Sequence, residues 1–328
     1  MPQSGTPRYA VAMVADQAMI PAAAYLANRL AALNYRDDTE ILIFSDSMEG
    51  LTAAKAFGVP AGLRYVDFSG KLPRVNDRVS GATFFRLFLP DVVPASIERI
   101  LYLDTDIAIE NALLFRLFDL DMGGHTIAAV RDLLAILEPS ANVRREVARS
   151  GDGRYFNAGV VLIDRAAYVA ARSSRALVAV VARERTHDQA ALNTVFSRRW
   201  LELSPAMNTM MAIWNSFVRR VFPPVVVHFA GTAKPWQAGF VEDHPVRADM
   251  VSYFRNSPWP GFVRAPEFAT VWGAMQSGPR PSAGPLPAKA VLPRTTDAPA
   301  LAALLPTLRF ADVEQGITPF NRDAMPPG

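Results

Sequence analysis

Two carboxylates spaced two residues apart, directly after an apolar run, are the feature of this sequence most able to do chemistry. The passage Arg99 to Glu110 reads RILYLDTDIAIE, so Asp104 and Asp106 follow Leu103 at once. A local bend would bring both side chains to one side. Their oxygens then suit a hard divalent cation, Mg2+ or Mn2+, of the kind that bridges and neutralises diphosphate oxygens. Such a pair also suits a turn or a helix cap. The apolar run favours the cation: Asp104 is expected at the end of a buried strand, and no Lys or Arg follows closely to offset its desolvation.

Three further passages carry polar groups where a ligand could use them. Tyr155 to Asp164 reads YFNAGVVLID, an Asn and two small residues just before a buried strand. The Asn157 amide can hydrogen-bond a sugar hydroxyl while Ala158 and Gly159 let ligand and backbone approach closely, although the same residues would make an ordinary turn. His187 to Asn193 reads HDQAALN. There the Asp188 carboxylate and Gln189 amide open a helix and could face sugar hydroxyls, or Asp188 could simply cap it. Val225 to Trp236 reads VVVHFAGTAKPW, a strand bearing His228 followed by a loop with Gly231, Lys234 and Trp236. A neutral imidazole can complete an Asp/Asp/His cation site and an ammonium can pair with phosphate. A lone His on an apolar strand also reads as a core residue, but that short loop holds one of only four lysines (Lys55, Lys71, Lys234 and Lys289).

The elements that must position these groups alternate along the chain. Apolar runs at Tyr9–Ala15, Glu40–Phe44, Leu63–Val66, Ile100–Leu103, Thr126–Val130, Gly159–Ile163 and Val225–Phe229 read as strands. Helical patterns cover Ala22–Leu33, Met48–Phe57, the single long segment Arg165–Arg185, and Asp188–Arg198. Continuous apolar strands separated by helices predict an α/β fold with a mainly parallel sheet covered on both faces. Ligands of such sheets gather beyond the carboxyl ends of the strands, where Asp104 and Asp106 fall. One domain is expected over residues 1–276. From Ser277 to Gly328 the composition turns Pro-rich (PRPSAGPLPAKAVLP), which predicts an extended tail that wraps the domain or is partly disordered, with a short helix at Leu301–Leu308.

Composition narrows the classes. Half of the 328 residues are hydrophobic, which argues against global disorder. The absence of Cys removes disulfides, thiolate metal sites and a Cys nucleophile. A net charge of +3 is too small to argue for a nucleic-acid partner. The first residues lack the basic leader and apolar core of an export signal, and no segment approaches the roughly 18 to 20 apolar residues that span a bilayer. These readings predict a cytoplasmic protein, at most peripheral on the inner membrane face. Trp259 to Trp272 mixes aromatics with Arg and is the segment for such contact, or else packs onto the core.

Together ILYLDTDIAI, YFNAGVVLID, DQAALN and HFAGTAKPW resemble, in order and spacing, the family 8 glycosyltransferases, which include the bacterial lipooligosaccharide galactosyltransferases, glycogenin and the galactinol synthases. The resemblance runs from about Tyr9 to Trp236. It implies a GT-A fold (Rossmann-like), a UDP-sugar donor, a Mn2+-type cation, a saccharide or lipid-linked saccharide acceptor, and retention of anomeric configuration. Carried over by position, it implies that Asp104, Asp106 and His228 hold the metal. It further implies that Asp16 contacts the uracil base, Arg86 (in GATFFRLFLP) lies near donor sugar and phosphates, and Asn157 and Ala158 touch the donor sugar. Asp188 and Gln189 would face the anomeric carbon, Gly231 and Lys234 would contact the diphosphate, and Asp132 would border the active site. The sequence departs from the family pattern at Ala190, where the family often has Asp, and at Gln17-Ala18-Met19, where Asn-Tyr commonly follows the first acidic residue. Two other readings are open: a nucleotidyltransferase of similar architecture, which would need a Gly-rich basic loop absent after Ala15, and a catalytically idle module that only binds a nucleotide sugar or glycan.

Overall fold

The computed structural model describes residues 6–34, 36–68, 81–133, 135, 141–150, 153–211, 218–231, 234–237, 240, 246–264, 305 and 308–325. Seven strands form the main sheet: β1 (Tyr9–Val14), β2 (Thr39–Ser45), β3 (Gly62–Tyr65), β4 (Arg99–Leu103), β6 (Ile127–Arg131), β7 (Phe156–Asp164) and β8 (Trp200–Leu203). Their order is β3-β2-β1-β4-β7-β6-β8. β7 runs antiparallel to both its neighbours, and the other pairs are parallel. A second sheet orders β5 (Ile107–Ile109), β10 (Val226–His228) and β9 (Thr209–Met210).

Successive side chains of a strand point to opposite faces, and here both faces are apolar. Val11, Met13, Leu101, Leu103 and Leu162 pack on one side with α1 (Ile20–Leu33) and the 3-10 segment Ala112–Asp119. Ala10, Ala12, Ile100, Tyr102, Val161 and Ile163 pack on the other with the turns at 81–92. This double coverage is why the strands lack polar alternation. Local signals place the helices that flank them. Pro21 stands in the first turn of α1, and Ser47 caps α2 (Met48–Ala56) by accepting from Gly50 N at 3.0 Å.

The expected single helix Arg165–Arg185 is two. α3 (Arg165–Ala170) is capped by Asp164, and α4 (Ser173–Glu184) begins after Arg172, whose φ of 50° lies in the left-handed region. An Arg there costs about 1 kcal/mol or more. Tertiary contacts hold it: the Tyr168 hydroxyl donates to Leu87 O at 2.8 Å, and Ser174 bonds Asp91. Of the expected tail, residues 277–304 lie outside the described residues, as does most of the Leu301–Leu308 helix. Residues 308–325 lie against the core, where Phe310 meets Phe222 edge-on at 5.2 Å and Asp312, fully buried, accepts from Ser204 N and Oγ at 2.7 and 2.6 Å. Trp259 packs on Phe57 at 6.1 Å, while residues 265–272 of the aromatic segment lie outside the described residues. No described helix is long and apolar enough to cross a membrane.

Candidate active site

The two aspartates and the distant histidine meet because β5 pairs with β10. His228 stands opposite Ile107 in that antiparallel ladder, and Phe229 N donates to Asp106 O at 2.9 Å. The chain therefore turns at Asp104-Thr105-Asp106 and delivers both carboxylates beside the imidazole. One ligand atom from each of Asp104, Asp106 and His228 lies within 4.8 Å of the others. His228 Nε2 is 3.3 Å from Asp106 Oδ1 and 3.7 Å from Asp104 Oδ2. Two carboxylates and an imidazole, with no thiolate, form a donor set that fits Mn2+ or Mg2+.

The basic residues missing next to Asp104 in sequence arrive from other elements. Arg86 lies 3.1 Å by Nη1 from Asp104 and 2.9 Å by Nε from Asp188, donates to Ala158 O at 3.0 Å, and stacks over the Tyr102 ring at 4.6 Å. Burial opposes its charge, but Asp104 and then Asp188 outweigh this and raise its pKa. Tyr102 donates to Asp104 Oδ1 at 2.6 Å, and burial pushes its own hydroxyl well above the ordinary range. Lys234 Nζ binds Asp106 and donates to Phe229 O at 2.7 Å. Burial would raise the Asp106 pKa, yet the Lys234 ammonium reverses this and holds the carboxyl well below the usual range. Asp106 is thus ionised without a cation, at the expense of tying Lys234 to it.

A β-bulge shapes the opposite wall. The β6–β7 register shifts between Ala129, which faces Val161, and Val130, which faces Asn157. Residues 157–159 are hence part of strand β7 rather than a turn before it. The loosened backbone is read by side chains: Ala158 N donates to Gln189 Oε1 at 3.0 Å, and Gly159 N to Asn157 Oδ1 at 2.9 Å. Gln189 Nε2 in turn donates to Asp132 Oδ2 at 3.2 Å. Gln189 rides on α5 (Asp188–Val195), whose Asn193 pairs with the backbone of Phe156 through bonds of 2.8 and 2.9 Å. The cap of α5 is His187, not Asp188: its Nδ1 accepts from Ala190 N at 3.4 Å. Asp188 is instead buried in the first turn and spoken for by Arg86. Burial lowers the His187 pKa, but Glu146, 3.3 Å from Nε2, and Asp188 raise it overall.

One cleft gathers most of the residues singled out from sequence. Asp16, Arg86, Asp104 and Asp106 line one part of it, and Asn157, Gln189, His228, Gly231 and Lys234 the rest. Asp132, Ala158 and Asp188 stand behind this wall, linked to it through Gln189 and Arg86. Asp16 caps the short turn Gln17–Met19 by accepting from Met19 N at 3.1 Å. Gly231 has φ +101°, a conformation that L side chains rarely adopt. Sequence reasoning missed Tyr102 and Asn208. Tyr102 was recoverable, since period two along β4 puts it on the same face as Asp104. Asn208, which contacts His228, sits in a 3-10 turn, Pro205–Asn208, whose residues signal nothing beyond a turn.

Comparison with known proteins gives the family and the fold. General stress protein A of Bacillus subtilis (strain 168) is 27% identical over 223 residues, which cover 62% of this chain and 75% of that protein. The lipopolysaccharide 1,3-galactosyltransferase of Salmonella typhimurium is 28% identical over 254 residues, 73% of each chain. The crystal structure of galactosyltransferase LgtC with donor and acceptor sugar analogs superimposes with a TM-score of 0.58 at 22% identity, over 82% of this chain and 97% of that one, which establishes the GT-A fold. The model of glycosyl transferase family 8 matches residues 11–239, a span that contains every residue of the cleft described above, and the chain belongs to that family.

Proposed function

We propose that this glycosyltransferase moves a hexosyl group, glucose or galactose, from a UDP-sugar to a hydroxyl of a saccharide or lipid-linked saccharide, with retention of configuration, in cell-surface glycan synthesis. The observation that carries this reading is the convergence of Asp104, Asp106 and His228 in a cleft that also holds Lys234 and Gln189. Asp104, Asp106 and His228 would hold the Mn2+ or Mg2+, which when bound acts as a Lewis acid toward the leaving diphosphate. Lys234, paired with Asp106, brings a further basic side chain to the same wall, where a cation taking over that carboxylate would let it turn to a phosphate oxygen. Arg86 pairs with both Asp104 and Asp188 and fixes them in place. Gln189, held at both ends of its amide by Ala158 N and Asp132, borders the sugar ring with a preset orientation. The acceptor hydroxyl attacks the anomeric carbon on the face from which UDP departs, the bond to the diphosphate oxygen breaks, and the hydroxyl proton passes to that departing oxygen. The names of the relatives, a lipopolysaccharide 1,3-galactosyltransferase and a lipopolysaccharide 1,2-glucosyltransferase among them, support a hexose donor and a saccharide acceptor.

The test is UDP release from UDP-glucose and UDP-galactose, with Mn2+ present and then chelated, for the wild type and Asp106→Ala. Release that needs the ion and falls about 10²- to 10³-fold in the variant is expected, the usual loss for one well-placed electrostatic group. Near wild-type release by Asp106→Ala in Mn2+ overturns the metal assignment. Affinity for the nucleotide sugar without UDP release, with or without saccharide acceptors, would make the chain a binding module.

A further inference from the structure

We infer that Asn208 is a positioning residue that dictates which nitrogen of His228 faces the two aspartates, through a hydrogen-bond chain whose direction starts at a backbone amide. Gly159 N donates to Asn157 Oδ1 at 2.9 Å. A backbone N–H can only donate, so the atom it meets is the amide oxygen. Asn208 Nδ2 donates to that same oxygen at 2.9 Å. The other end of Asn208 is therefore its oxygen, and it lies 3.0 Å from His228 Nδ1. A carbonyl oxygen can only accept, so Nδ1 carries a ring hydrogen, and Nε2 is the nitrogen left to a cation. Nε2 is on the side of Asp106 and Asp104.

The far end of the chain agrees in sense: Asn157 Nδ2 points to Asp132 Oδ2, an acceptor, at 3.5 Å. Turning the Asn208 amide over would set oxygen against oxygen at Asn157, with no proton between them. Asn157, Asn208 and His228 are 7%, 1% and 3% exposed, so water offers no alternative partner. The turn that carries Asn208 is itself pinned, by Thr209 Oγ1 to Pro205 O at 2.8 Å and by Val225 N to Ala206 O at 2.9 Å. The consequence for metal binding rests on the cation site proposed above. A ring nitrogen held on the side of two carboxylates is well placed as a ligand, and the partner of the other nitrogen commonly tunes such ligands.

The tautomer is read on 15N-labelled, metal-free protein by long-range proton–nitrogen correlation, with a His228→Gln variant to assign one of only four histidines. A protonated Nδ1 at His228 is expected. An Nε2–H tautomer, or an even mixture, in the wild type overturns the inference. Asn208→Ala is expected to lose the preference and to weaken Mn2+ binding, followed by electron paramagnetic resonance of the free ion, about 10- to 100-fold. An unchanged tautomer and Mn2+ affinity in Asn208→Ala would also refute it. If the wild type fails to bind Mn2+ while the tautomer is as expected, the cation reading falls and the role of Asn208 in orienting His228 stands.

Discussion

Gly159→Ala is a small change with a large expected consequence, because the space for one methyl group is already taken by His228. A Cβ at position 159 would lie 2.2 Å from His228 Cε1, 2.7 Å from His228 Nδ1 and 3.0 Å from Asn157 Oδ1. Ordinary carbon contacts are about 3.5 to 4.0 Å, so the ring must retreat by more than an ångström or the β7 backbone must yield. Neither is free to do so. His228 is in the β5–β10 ladder with its ring tied to Asn208, and Gly159 O accepts from Asp104 N at 2.8 Å. Overpacking of this kind costs about 1 to 3 kcal/mol of stability. A displacement that large also takes Nε2 out of the grouping with Asp104 and Asp106, so Mn2+ affinity should fall at least as far as for loss of Asn208. The assay is paired: urea unfolding for stability and Mn2+ titration for affinity, with Gly261→Ala as control because a Cβ there meets nothing within 4 Å. A Gly159→Ala protein that matches the wild type in both measurements would show that the ring does not sit against β7, and the geometry argued for the site would be wrong.

Other perturbations follow from the buried charges. Arg86→Ala leaves the Asp104 and Asp188 carboxylates without their shared guanidinium and should cost about 3 to 5 kcal/mol in urea unfolding. Arg86→Lys should recover only part of this, since one ammonium cannot serve both carboxylates and Ala158 O as the planar fork does; full recovery would refute the bridging role. Asp312 is the opposite case, a carboxyl whose pKa burial raises despite bonds from Ser204 and Thr318. The native state then holds the proton more tightly than the unfolded chain. Its favourable contribution is complete below the unfolded value of about 3.9 and is lost as pH rises through the higher native pKa. Asp312→Asn should therefore flatten the fall in stability on raising pH from about 4 toward neutrality, measured by urea midpoints at a series of pH values; an unchanged slope would place the titrating group elsewhere.

Much of the framework is written in local sequence, because local physics determines it. Unbroken apolar runs mark strands covered on both faces, and Pro21, Ser47 and Asp164 mark helix starts. The strand that ends just before Asp104 marks where a ligand site is expected, and the order of the four motifs identifies the family. Other features depend on which distant segments touch. Nothing near Asp104 or Asp106 in the chain shows that Arg86 and Lys234 neutralise them. The helix break at Arg172 depends on Tyr168 meeting Leu87 and Ser174 meeting Asp91 across the other face of the fold. The polarity of the Gly159–Asn157–Asn208–His228 chain is set by a backbone donor that only the bulge in β7 turns inward. Residue types and spacing decide what an isolated segment can do; whether an aspartate is a turn former or a ligand depends on the charges and hydrogen-bond partners that burial brings against it. Those partners come from parts of the chain that are remote in sequence, so only the tertiary structure could supply them.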